Sequence, residues 1–158
     1  MLGRSYHDQV CSVARTLEVV GERWTLLIVR DALMGTTRFE GFLGGLGIAR
    51  NVLADRLQAL VCAGILDRAP YMYRPLRHEY QLTTKGRDLG VVIISLMEWG
   101  DRYLAGGGGP PQLAEHLGCG GHVTAELMCH SCGRALPAAD VTTRPGSGRA
   151  ARAAADSS

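Results

Sequence analysis

RPLRHEYQLTTKG, residues 74–86, is the stretch whose reading decides the fold. It places Pro75 between two arginines, Arg74 and Arg77, where one short strand ends and another begins, and it runs on into Thr83 and Thr84, either of which can cap a helix. Alone, it is a basic, solvated turn, a linker, or the tip of a hairpin. The residues on either side choose among these.

Working back from residue 74, an expected strand at 65–68 follows Gly64, which stops a helix expected over 48–63. GGLG at 44–47 is a turn before that helix. Thr37 with Glu40 three residues on reads as a capping box for a short third helix carrying Phe39, Phe42, Leu43 and Leu46. Trp24, Leu27, Ile28 and Ala32 mark a second helix closed by Gly35. Val10, Val13, Ala14, Leu17 and Val20 mark a first, ended by Gly21. Forward of the stretch, a strand at 78–82 leads into a last helix reaching about residue 104. That helix carries Leu89, Val92, Leu96, Trp99 and Tyr103 at spacings of three, four, three and four. Helices joined by a glycine turn and followed by a hairpin have the order of a winged helix-turn-helix, so the fold class is mainly α with a small β-hairpin wing.

Composition narrows the function. The chain has 158 residues, is 46% hydrophobic and 20% charged, and carries a formal net charge of +2, enough for one globular domain and something small. So weak a charge favours nucleic acid only if it is concentrated. It is: residues 50–87 hold seven Lys/Arg (50, 56, 68, 74, 77, 85, 87) against three acids (55, 67, 79), and phosphate contact is the natural use. In the fourth helix Leu53, Leu57 and Leu60 share one side, while Asn51, Ala54, Asp55 and Gln58 point the other way, with Arg50 at the edge of the first turn. No apolar run approaches the roughly 20 residues that span a bilayer, and MLGRSYHDQV lacks a signal-peptide core. The expected address is cytoplasmic, with no membrane partner. Nothing resembles a nucleophile elbow, a phosphate loop or a dinucleotide fingerprint, so no enzyme is expected.

AGGGGPPQ, residues 105–112, reads as a linker, and residues 142–158 as a disordered tail. Between them lies HLGCGGHVTAELMCHSCG, residues 116–133. Two cysteines two residues apart before a glycine have the form of a metal knuckle, and His116, Cys119 and His122 are candidates to join Cys129 and Cys132 around a structural zinc. Only six residues separate His122 from Cys129 and nine separate Cys119 from Cys129, where zinc fingers commonly allow about a dozen or more. Reduced, unligated thiols and a reversible disulfide remain alternatives. No internal repeat is visible. Cys62, in QALVCAG, reads as core filling. Cys11 lies near a helix start with Arg15 one turn later, a setting that favours thiolate and suits a redox sensor, although cysteine more often simply packs.

Several motifs in order carry a family resemblance: CSVARTLEVVGERWTLLIVRDAL (11–33), RFEGFLGGLGIARNVLADRLQALVCAGIL (38–66), YRPLRHEYQLTTKGRDL (73–89) and LMEWGDRYL (96–104). Together they resemble the HxlR family of winged helix-turn-helix transcription regulators over residues 8–104. Ser12 departs from the proline that commonly follows the first cysteine in that family. The resemblance implies a homodimer on a pseudo-palindromic double-stranded operator, usually repressing and needing no cofactor for DNA binding. It implies Arg50 and Asn51 at base edges and Arg56, Arg74 and Arg77 on phosphates, with Arg38 a weaker candidate. It also implies a dimer interface built on Leu89, Val92, Leu96, Trp99 and Tyr103, widened by Ile93, Met97 and Leu104, with the first helix beside it. Cys11 would answer oxidants or electrophiles, often by bridging across the dimer; the inducer is not legible. The competing reading is a winged-helix protein-interaction module that does not bind DNA.

Overall fold

The computed structural model describes residues 11–147, so the expectations for residues 8–10 and 148–158 lie outside the described residues. Among the described residues of the first unit, which ends at Gln112, stand six helices and one hairpin: α1 Ser12–Val20, α2 Thr25–Leu33, α3 Phe39–Leu46, α4 Arg50–Cys62, β1 Leu66–Tyr73, β2 Leu76–Leu82, α5 Thr84–Arg87 and α6 Gly90–Tyr103.

The core follows from helical spacing. Leu53, Leu57 and Leu60 recur at four and three, so one face of α4 is buried. Against it pack Ile28 and Val29 of α2, Phe42 of α3, and Ile65 with Leu66 at the start of β1, all under 2% exposed. Burying each such side chain is worth about 1.5–3 kcal/mol, which makes this cluster the main source of stability in the unit.

Four boundaries differ from the sequence reading, each for a local reason. The capping box at Thr37 and Glu40 does not form: Arg38 is the N-cap of α3 and makes no side-chain cap. The Thr37 carbonyl instead accepts from the Tyr80 N–H at 2.7 Å, and Arg38 bridges Glu79, so the segment before α3 pairs with β2. The GGLG turn contracts to Gly47, whose φ of 60° ends α3 after Gly44, Gly45 and Leu46 have joined the helix. β1 runs five residues past its expected end and β2 starts two residues before its expected start, so the strands close through a two-residue turn, Arg74–Pro75. Their outer halves are exposed, so no alternating apolar pattern announces them. Finally, the last helix is two helices. Thr83 Oγ1 accepts from the Gly86 N–H at 3.0 Å and donates to the Gly64 carbonyl at 2.7 Å, tying α5 to the end of α4 before the chain turns into α6.

Gly86 is buried where that tie is tightest. A Cβ there would fall on the Ile65 carbonyl and 2.8 Å from Leu82 Cδ2. The Leu82 methyl can turn aside, but the Ile65 carbonyl is backbone and accepts from the Thr83 N–H, so it cannot shift without disturbing the start of the hairpin. Gly86→Ala is expected to destabilise the unit by about 3 kcal/mol, at the upper end of overpacking effects, read as a lower denaturation midpoint.

The second unit, residues 113–158, holds a two-stranded ladder, β3 Leu127–Met128 with β4 Ala135–Leu136, and a short 3₁₀ turn at Ala138–Asp140. None of its described residues is buried.

Candidate nucleic-acid interface

Arg50 begins α4 and Asn51 follows it, both exposed, because Leu53, Leu57 and Leu60 consume the opposite face. The Arg50 guanidinium is already held. Its Nη1 and Nη2 donate to the two Glu40 oxygens at 2.9 and 3.2 Å, and it lies over the Phe39 ring at 5.3 Å. The Arg50 hydrogen bond is the main reason the Glu40 carboxyl titrates below its usual value, with a further electrostatic contribution from Arg77. The same bond raises Arg50. Of the five guanidinium N–H donors, Glu40 takes the two at the end of the fork; the Nε–H and the second Nη2–H form a parallel pair along the side. That edge can still face a base or phosphate.

Across from α3 and α4 stands the hairpin. Its register shifts between Pro70 and Met72, a bulge at Tyr71, and Arg38 lies over the Tyr71 ring at 4.7 Å. Arg38, Arg50 and Arg77 thereby line one groove of about 650 Å³, together with Phe39, Tyr71, Leu76, His78 and Tyr80 and with Glu40 as its one acid. Three cations from three elements converge there. Arg74 sits on the hairpin tip, exposed, before Pro75, which has no N–H with which to extend the ladder.

Arg56 is placed differently. It is half-buried, with Nη1 3.9 Å from Glu22 Oε2 and Nε enclosed without a hydrogen-bond partner. Its geometry ties α4 to the α1–α2 turn. The sequence pattern also missed Glu40 as a partner for Arg50: the two are ten positions apart, and the sign of their charges was the only available signal.

In α6 the apolar residues separate into two stripes. Leu89, Ile93 and Met97 pack on the core, whereas Val92, Leu96, Trp99 and Tyr103 are 42–62% exposed. Of the eight residues expected at an interface, Leu89, Ile93 and Met97 therefore pack on the core, and Val92, Leu96, Trp99, Tyr103 and Leu104 remain exposed. Val13 and Leu17 of α1 are exposed as well.

Cys11 is the exposed N-cap of α1, its carbonyl accepting from the Arg15 N–H at 3.1 Å. Cys62 is a correction: it is exposed rather than core, and Gln58 Nε2 donates to its sulfur at 3.3 Å. Two residues beyond Leu60 on a helix point away from the core side. His116, Cys119, His122, Cys129 and Cys132 do not form one cluster. Among the described residues no three His, Cys, Asp or Glu side chains stand together as a metal site. Four of them fall into pairs instead, with His122 in neither: His116 Nδ1 lies 3.2 Å from Cys119 Sγ, and the Cys129 thiol is lowered by the backbone N–H groups of Cys132 and Ser131 and by the Cys132 side chain. No described helix is long and apolar enough to cross a membrane.

A helix-turn-helix whose second helix and wing share an arginine-lined groove defines a winged-helix DNA-binding transcription regulator. Residues 19–107 match the family of HxlR-like helix-turn-helix proteins, and the chain belongs to that family. An uncharacterised HTH-type transcriptional regulator of Mycobacterium tuberculosis is 50% identical over 143 residues, 90% of each chain. Among solved structures, that of PA1607, described as a proposed transcription factor, aligns with a TM-score of 0.80 and 34% identity over 90% of this chain and all of that one. The redox regulator HypR in its reduced form aligns with a TM-score of 0.55 and 31% identity over 58% of this chain and 92% of its own. The chain is a transcriptional regulator and not an enzyme.

Proposed function

We propose that this regulator is a homodimeric repressor that binds a two-fold symmetric operator, in the cytoplasm and on the nucleoid when bound. The groove carrying Arg38, Arg50 and Arg77 is the observation that supports it. In this reading α4 enters the major groove. Arg50, steadied by Glu40 and Phe39, presents its free side edge to a base, with Asn51 beside it; a bidentate arginine–guanine pair is worth about 1–3 kcal/mol of discrimination. Arg38, Arg74 and Arg77 meet the phosphate backbone, while Arg56 stays with Glu22. The outward stripe of α6 and the exposed apolar residues of α1 meet their counterparts in a second copy.

The test is to incubate the reduced protein with fragmented host DNA at moderate salt and sequence what is retained. A few sites with paired half-sites are expected. Retention without sequence preference, or none with folded protein, moves the weight to an interaction module.

Cys11 is the proposed redox contact. Its exposed thiol at a helix start, together with the likeness to a redox regulator, supports reaction with oxidants or electrophiles. Iodoacetamide followed by site-resolved mass spectrometry should modify Cys11 faster than a model thiol at neutral pH. An equal or slower rate removes the physical basis for sensing.

A further inference from the structure

The second unit contains a structural repeat of thirteen residues. Glu115 bridges His122, and Met128 pairs with Ala135. Inside the first bridge, the His116 N–H donates to the Gly121 carbonyl at 2.8 Å; inside the second, the Cys129 N–H donates to the Arg134 carbonyl at 3.0 Å. The Gly120 N–H returns to the His116 carbonyl at 2.8 Å, and the Gly133 N–H to the Cys129 carbonyl at 2.8 Å. Gly120 and Gly133 have φ of 69° and 66°, the left-handed conformation that closes each turn. The two loops are the same object built twice. Each puts a metal-binding residue at the first and fourth position of its turn: His116 and Cys119, then Cys129 and Cys132.

These loops have little else to hold them. None of the described residues from 113 to 147 is buried, and all three cysteines are free. A unit this small without a core needs a cross-link, either covalent or through a metal. We propose that the paired turns form one structural site for a zinc-class divalent ion, with His116, Cys119, Cys129 and Cys132 as its four ligands. His122 lies outside the turn, at the bridge position that Ala135 holds in the second copy, so it is not one of the repeated ligand positions. The pairs stand apart, with no three ligands gathered, so the ion draws the two turns together and its binding energy becomes folding energy for this unit. Binding converts three thiols to thiolates and releases their protons to solvent, while His116 coordinates as the neutral ring. Four protein ligands close the coordination sphere, so the ion holds structure and does no chemistry.

The test uses the reduced full-length chain, purified without chelator and then loaded with Co²⁺ or Zn²⁺. About one ion per chain is expected, with the visible absorption of tetrahedral Co²⁺ bound to thiolates and zinc-dependent resistance of residues 113–141 to protease. Cys119→Ser and Cys129→Ser, one from each turn, should each lose the ion and the protection, and His122→Asn should lose neither. Circular dichroism of the first unit reports whether either variant has simply misfolded. The proposal is overturned by absence of metal, by one ion shared between two chains, or by retention of the ion when either turn is disabled.

Discussion

Arg74→Ala combined with Arg77→Ala should weaken binding to every DNA sequence by a similar factor and flatten its salt dependence. A dimer would lose four phosphate contacts, and each contributes about 0.9 to the slope of log affinity against log salt, so the slope should fall by roughly 3 to 4. The tip is exposed and makes no contribution to the core, so the variant should retain its unfolding midpoint. Titrations at several salt concentrations, on an operator and on unrelated DNA, provide the measurement. An unchanged slope takes the wing off the phosphate backbone. Arg50 differs in kind: its guanidinium is already bonded to Glu40 and lies over Phe39, and in the proposed reading it meets a base rather than a phosphate.

Leu96→Glu with Trp99→Glu should convert the dimer to a monomer. Both side chains are about half exposed in the isolated chain, so the substitutions spare the core, yet a dimer buries four of them and places four carboxylates there instead. Half of each side chain remains to be buried, so the lost burial alone amounts to about 3–6 kcal/mol, a change of roughly 10²- to 10⁴-fold in the dissociation constant. Light scattering at micromolar concentration reads the outcome, and operator affinity should fall with it because each half-site then binds singly. A wild-type chain that is already monomeric there defeats the dimer reading.

The core was legible because it is written in short-range spacing. Leu53, Leu57 and Leu60 declare their face of α4 whatever surrounds them. The wing was legible in position but not in length: β1 and β2 run on past the core, where backbone pairing alone holds them and no side-chain pattern marks the extension. Thr37 and Glu40 show a local rule overridden. Their spacing suits a capping box, but β2 takes the Thr37 carbonyl and Arg50 takes the Glu40 carboxylate. Both competitors are distant in sequence. In α6 an apolar surface too wide for one partner was visible, but only packing showed that Leu89, Ile93 and Met97 face inward and Val92, Leu96, Trp99 and Tyr103 outward.

The C-terminal repeat escaped the sequence because its two copies share only a cysteine and a glycine in register, Cys119 with Cys132 and Gly120 with Gly133. Backbone hydrogen bonds carry the rest, and they leave no mark on residue type. By itself, the sequence determined the family, the order of the helices and wing, and the clustering of basic residues around them, since each rests on spacing or composition within a few turns. Only the tertiary structure decided which arginines share a groove, which are already paired, and which apolar stripe remains uncovered. Those depend on contacts between segments that chain order does not rank.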